Sequence, residues 1–291
     1  MADQAEGLRR LLVRSSARVI TVASARAGFG ATSLVVNLAS SFVRAGKVVL
    51  VLDESLSHDN VGNMLALKPR YDLLNAVRRD KMLSSIILQT QQGVRILPVA
   101  RAIQALPQLS PPERERLLEC LAEASHAVDV VLVDAAATEE RYISASLAPE
   151  QPLVVVLNPT GTSITESYGL IKRMTRQDGR KSFGIVVNKA RDEQEALAVF
   201  ANIAQVARLH LQVRVEYQGC VPLDKSVGRA VQLSRPVVEL FPATPAARAF
   251  ESVGRNLILL PTAGNEVSGS LSDILQRLMR QAHSPNMAYA N

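Results

Sequence analysis

The chain has 291 residues, 47% of them hydrophobic, with 33 Lys and Arg against 27 Asp and Glu for a net charge of +6. That size builds one large α/β domain or at most two small ones, no apolar run nears the roughly 18 residues of a membrane span, and the polar, charged N-terminus is not a signal peptide; a cytoplasmic chain is expected. The positive excess reads as spread along the chain, so solvated surface competes with anionic partners such as acidic lipid or nucleic acid, while lone thiols at Cys120 and Cys220 and four histidines without ligand spacing predict neither a disulfide nor a structural metal.

The first element is a short helix. Asp3 is placed to cap it, with Glu6 three positions on in a capping-box pattern. Leu8, Leu11 and Leu12 form one apolar side, and Arg10 and Arg14 fall on another. Periodicity alone reads it as a terminal brace, and Gly7 weakens it as an isolated helix by roughly 1 kcal/mol.

Next comes a β-branched strand, Val19 to Ala23, followed by the turn Ala25-Arg26-Ala27-Gly28-Phe29-Gly30-Ala31-Thr32-Ser33. An apolar-faced helix, Thr32 to Val43, follows and is closed by Gly46. A glycine-rich turn between strand and helix is the setting of a phosphate-binding loop. Backbone N–H groups there close around phosphates, a lysine neutralises them, and a Thr or Ser hydroxyl holds magnesium. Gly28, Gly30, Thr32 and Ser33 are present, but Ala31 stands where the lysine belongs. A lost charge-assisted hydrogen bond is worth roughly 1.5–3 kcal/mol, which weakens phosphate binding by on the order of ten- to a hundred-fold. A turn that serves only tight packing is the competing reading.

Further strands are expected at Val48 to Leu52, Val94 to Val99, Val130 to Val133, Leu153 to Leu157, Phe183 to Val187 and Val213 to Tyr217. Their continuous apolarity predicts burial on both faces, as in a parallel sheet. The fold expected is therefore a single doubly wound α/β domain with a mostly parallel sheet flanked by helices. Asp53 and Asp134 close two of these strands, at the sheet edge where such folds bind ligands. Either they hold magnesium through water or they cap the loops that follow. Ser110, Pro111 and Glu113 predict a capped helix that carries Leu117, Leu118 and Leu121, with Cys120 on its apolar side. Near the end, Ser270 and Asp273 cap a short amphipathic helix with Leu271, Ile274, Leu275, Leu278 and Met279 opposite Arg277 and Arg280.

In this order the features resemble the MinD/ParA family of deviant Walker A ATPases, whose loop reads K-G-G-V-G-K-T. Arg26 then falls on the family's signature lysine, whose counterpart reaches across a nucleotide-sandwich dimer, and Ala31 on the ordinary one. The resemblance implies a P-loop fold and a nucleotide site made of Arg26, Gly28, Gly30, Thr32, Ser33, Asn188, Lys189 and Pro222. Asn188-Lys189 falls where the family recognises adenine, and Thr32, Asp53 and Asp134 are the implied magnesium ligands. Asn158-Pro159 with Ser163 resembles the family's N-P-x-x-x-S. The run Gly219-Cys220-Val221-Pro222-Leu223-Asp224 with Ser226, Arg229 and Ala230 resembles G-x-I-P-x-D-x-S-x-x-R-A.

The departures are concentrated where the family does chemistry. Its D-x-D becomes Asp53-Glu54-Ser55, so Ser55 replaces the acid that positions the attacking water. Its switch segment becomes Ala135-Ala136-Ala137-Thr138. Glu54 is a poor substitute, since adjacent residues on an extended segment point to opposite faces. Stabilising a transferred phosphoryl group needs cations and an oriented water. ATP or ADP and magnesium are therefore expected to bind weakly or not at all, and no catalytic residue is expected to be intact.

The stretch Asp3-Gln4-Ala5-Glu6-Gly7-Leu8-Arg9 resembles the N-terminal signature of the FlhG (YlxH/FleN) branch of this family, regulators of flagellar number and placement. Residues 1–17 then read as a helix that activates the GTPase FlhF, with Gln4 on the motif glutamine. Residues 18–264 read as the MinD/ParA-like nucleotide-binding domain, and 265–291 as a C-terminal amphipathic helix and tail. In the family such a terminal helix meets the membrane; packing against its own domain is the alternative here. The resemblance further implies a homodimer, contact with flagellar C-ring proteins or a flagellar transcription activator, and a cytoplasmic chain peripheral at the inner membrane or cell pole. Two other functions stay in view. One is an active MinD-type ATPase cycling between cytoplasm and membrane. The other is a ParA-like DNA-binding partition protein, which leaves the N-terminal motif unexplained.

Overall fold

A computed structural model describes residues 17–57, 60–135 and 153–259. The N-terminal motif, the residues after Ala135 in the switch segment and the C-terminal amphipathic helix lie outside them. In chain order the elements are β1 (Arg18–Ala23), α1 (Ala31–Arg44), β2 (Val49–Asp53), α2 (Val61–Met64), α3 (Leu73–Val77), β3 (Leu88–Gln89), β4 (Arg95–Pro98), α4 (Ala100–Ala105) and α5 (Pro111–Ala124). They continue with β5 (Val130–Asp134), β6 (Leu153–Leu157), α6 (Gly161–Asp178), β7 (Ser182–Ala190), α7 (Glu193–Leu211), β8 (Arg214–Pro222), α8 (Lys225–Gln232), α9 (Val237–Leu240) and α10 (Pro245–Leu259).

The eight strands form one sheet in the order β3-β4-β2-β5-β1-β6-β7-β8. All neighbours are parallel except β3 and β4. The central strands lie between two helical layers, which is why they are apolar at successive rather than alternate positions. Every residue of β2, β5 and β6 is buried. Val49 and Val51 pack with α1 and α10, while Leu50 and Leu52 pack with α3, α4 and α5. Each such side chain, fully buried, contributes about 1.5–3 kcal/mol.

Local signals set the helix ends. Gly46 (φ 79°) follows α1 while Lys47 N–H donates to Phe42 O and Gly46 N–H to Val43 O, the paired bonds of a Schellman stop. The Glu113 carboxylate accepts from the backbone N–H and the hydroxyl of Ser110 (2.8 and 2.6 Å), fixing the start of α5 as expected. Gly254 lets α10 lie on α1: a Cβ there would stand 3.0 Å from the Phe42 ring.

Three expectations needed revision. β7 and β8 each run nine residues rather than five. Their extra positions include polar side chains such as Asn188 and Gln218, so an apolar-run criterion ended them early. The two-residue strand β3 was too short to leave any periodic trace. Among the described residues no helix is long and apolar enough to cross a membrane.

Candidate functional site

The carboxyl ends of the parallel strands gather at one edge of the sheet, and there the glycine-rich turn joins β1 to α1. Gly28 (φ 85°) and Gly30 (φ 104°) take left-handed backbone conformations that an L side chain rarely adopts. Gly30 is also the N-cap of α1, with no side-chain capping bond and no acid in the first turn. The first N–H groups of a helix have no intrahelical partner and carry the positive end of its dipole. This terminus therefore presents uncapped donors, which suits an anionic oxygen.

Three side chains brace the turn from β6 and β7. Asn188 Nδ2 donates to Phe29 O (2.9 Å) and Lys189 Nζ to Gly28 O (3.1 Å). The Asn158 amide faces the carbonyls of Phe29 and Asn188 at 3.1 and 3.2 Å and, with its nitrogen turned to them, donates to both. Asn158 is itself fixed, its backbone N–H donating to the buried Ser163 hydroxyl (2.8 Å). A register shift between Asn188 and Ala190 makes Lys189 (φ 60°) a bulge in β7, and a bulge re-aims a side chain at a strand end. The approach is so close that a Cβ on Gly30 would sit 2.1 Å from Asn188 Nδ2. Pro222 ends β8 opposite Ala190. Asn158, Asn188 and Lys189 thus meet the turn at one place, while Pro222 is placed only as the partner of Ala190 at the end of β8.

The carboxylates form the other side of the cleft. Asp53 and Asp134 are cross-strand partners in β2 and β5, 3% and 2% exposed. Asp53 accepts from the N–H groups of Ser55 (3.1 Å) and Gly62 (3.4 Å), so it does cap the loop that follows. Burial pushes its carboxyl up to about 6 against the pull of those donors. Asp134 is pushed further, to about 8, by burial and then by the neighbouring charge of Asp53, while a hydrogen bond from the Thr32 side chain pulls the other way. Its Oδ2 is buried and meets no hydrogen-bond partner among the described residues. Two crowded carboxyls, one orphaned oxygen and a hydroxyl make a hard-oxygen set, and a divalent ion such as magnesium fits it.

The phosphate side is poorer. Ala31, at the lysine position, is 6% exposed. The Arg26 guanidinium is 65% exposed and pairs with Glu166 on α6 (3.3 Å). Ser55 spends its N–H on Asp53 and shares its hydroxyl with Ser57 (2.7 Å). Glu54 is buried and its backbone N–H is tied to Asp134 O (3.2 Å).

Other motif residues do structural work. Asp224 accepts from Ser226 N–H (2.8 Å) at the start of α8 and from Ala246 N–H (3.3 Å) in α10, and Arg229 lies over the Phe241 ring. Sequence reasoning missed Glu166 as the partner of Arg26, and missed the bulge at Lys189. It also missed Glu193, whose carboxylate accepts from the Tyr217 hydroxyl (2.7 Å) and the Cys220 thiol (2.9 Å). An Asn-Lys pair ending an apolar run was the only available sign of the bulge; the Arg26–Glu166 ion pair and the two hydrogen bonds to Glu193 join residues 24 or more positions apart and leave no local trace.

The ParA family profile, described as NUBPL iron-transfer P-loop NTPase, matches residues 15–258. The antiactivator FleN of Pseudomonas aeruginosa is 33% identical over 263 residues, 90% of this chain and 94% of that protein. The flagellum site-determining protein YlxH of Helicobacter pylori is 20% identical over 92% of this chain and 91% of its own length. Among solved structures, the septum site-determining protein MinD of Pyrococcus horikoshii, complexed with Mg-ADP, superposes with a TM-score of 0.63 at 22% identity, covering 83% of this chain and 96% of that one.

Proposed function

This chain belongs to the ParA family of P-loop NTPases, in the branch that holds the flagellar regulator FleN, and on that premise we propose that it controls flagellar number and placement by contact rather than by burning nucleotide. The observation that carries this reading is the asymmetry of the cleft. Asp53 and Asp134 lie side by side with the Thr32 hydroxyl on Asp134, which supports a magnesium site there, whereas Ala31 and Ser55 offer neither a cation nor a carboxylate.

In this reading the uncapped start of α1 binds phosphate oxygens, and Asn188, Lys189 and Pro222 border the base. Thr32, Asp53 and Asp134 hold magnesium, which when bound neutralises part of the phosphate charge. Arg26 leaves Glu166 to reach nucleotide across a homodimer. Binding is weakened by the absent ammonium, and hydrolysis is weak or absent because no group orients water. The output passes through the N-terminal segment Asp3 to Arg9, which stimulates GTP hydrolysis by FlhF. The amide of Gln4 both donates and accepts, so it can brace a partner's phosphate site. The helix bearing Leu271, Ile274, Leu275, Leu278 and Met279 supplies a peripheral membrane contact, stronger when a dimer presents two copies.

The experiment is a GTPase assay of purified FlhF with the full chain and its Gln4→Ala variant. Stimulation by the wild type and none by a variant with unchanged circular dichroism supports the reading. Equal GTPase rates for both refute it. The neighbouring carboxyls of Asp53 and Asp134 favour one second reading, a slow ATPase that works as a dimer. That reading requires phosphate release above a boiled control, lost in Arg26→Ala.

A further inference from the structure

The positive charge falls in separate stretches along the chain: residues 172–191 hold seven Lys and Arg against Asp178, and residues 61–101 hold seven (68, 70, 78, 79, 81, 95 and 101) against two acids, Asp72 and Asp80. Lys68, Arg70, Arg78, Arg79, Lys81 and Arg101 are exposed, while Asp72 is buried.

The fold draws part of this stretch together. The Asp72 carboxylate caps α3 through Leu74 N–H and accepts from the N–H groups of Arg101 and Ala102, joining α3 to α4. After α3 the chain turns at Arg79 (φ 64°), and the N–H groups of Asp80 and Lys81 return to Asn75 O. Lys81 Nζ thereby stands 4.7 Å over the Tyr71 ring. The acids that face the patch are Asp80, beside the Asn75 amide, and Glu113, 3.9 Å from Arg78 and also held by Ser110. Beside Lys81 an apolar side chain projects: Met82 is 77% exposed.

We propose that this surface, which carries Arg78, Arg79 and Lys81 next to the exposed Met82 and packs Lys81 over Tyr71, docks on anionic phospholipid headgroups. Cations that flank one exposed apolar side chain match a lipid interface, where the charges meet phosphates and the thioether enters the acyl boundary. A nucleic acid would meet the cations but give Met82 nothing to enter, and the Lys81 ammonium already covers the Tyr71 face on which a base would stack. None of these residues belongs to the cleft or to the C-terminal helix, so the proposal stands apart from the functional reading above.

The test is flotation of the full chain with vesicles of phosphatidylcholine, with and without phosphatidylglycerol, across a salt series. Wild type is expected to need the anionic lipid and to lose binding as salt rises. Simultaneous Arg78→Glu, Arg79→Glu and Lys81→Glu should lower the partition constant by on the order of a hundred-fold, and Met82→Ser by roughly three-fold. The Gln versions of the same three changes, checked for unchanged melting, should fall in the same direction. In a Leu275→Glu background, which removes the terminal helix's contribution, the charge effect should persist. Equal partition of wild type and the Gln variants overturns the proposal. So does loss of double-stranded DNA retention in those variants with vesicle binding unchanged, which would give the patch to nucleic acid.

Discussion

The two sides of the cleft have been treated differently. On the carboxylate side, Thr32 stands with Asp53 and Asp134, the two acids buried and crowded enough to drive Asp134 up to about 8. That arrangement destabilises the bare fold and makes sense where a cation relieves it. On the phosphate side, Ala31 and Ser55 leave no strain and no charge, and Arg26 is held outside by Glu166. On the proposed reading, a set that costs stability is present while the groups that would speed turnover are not. On that reading, holding a ligand and consuming it are separable demands on one cleft.

The largest change expected comes from Gly30→Ala, which damages both sides at once. It puts a side chain at φ 104° and 2.1 Å from Asn188 Nδ2, so chemical denaturation should show a loss of roughly 2–4 kcal/mol. Next is Asp134→Asn, which touches the carboxylate side alone. Because the folded pKa of Asp134 is raised to about 8 by burial and then by Asp53, its contribution is intact below the usual carboxylate range and is lost as pH rises toward that value. Nucleotide-free wild type should therefore lose about 2–3 kcal/mol relative to the Asn variant between about pH 5 and pH 7. Magnesium should restore the wild type only. Ala31→Lys repairs the phosphate side and should tighten ATP binding in calorimetry by on the order of ten- to a hundred-fold, without creating turnover while Ser55 remains. The smallest effect lies outside the cleft. Burial and the Glu193 carboxylate push the Cys220 thiol up to about 11, so iodoacetamide should react slowly at neutral pH. Glu193→Gln should quicken it by roughly a few-fold.

Much of this architecture was legible in the residues. β2, β5 and β6 announce themselves because burial on both faces demands unbroken apolarity, and α5 does so through Ser110, Pro111 and Glu113. The ends of β7 and β8 were not legible, because Asn188 and Gln218 serve the site and the sheet edge rather than the core. Of the cleft, the turn and the two strand-end acids could be read from position alone. That Asp53 caps its loop was one of the two readings of its position, although the bond from Gly62 comes from nine residues on; that Arg26 pairs with Glu166 depends on how α6 packs and does not follow from local sequence. The cations of residues 61–101 were open to simple counting, but that Lys81 folds back over Tyr71 depends on the turn at Arg79.

The most direct measurement is phosphate release by the purified full chain at saturating ATP and magnesium. A rate indistinguishable from that of boiled protein, in a chain whose melting temperature ATP and magnesium nonetheless raise, is what a ligand-holding cleft without hydrolytic machinery produces. Sustained, magnesium-dependent release that disappears with Asp134→Asn would contradict it.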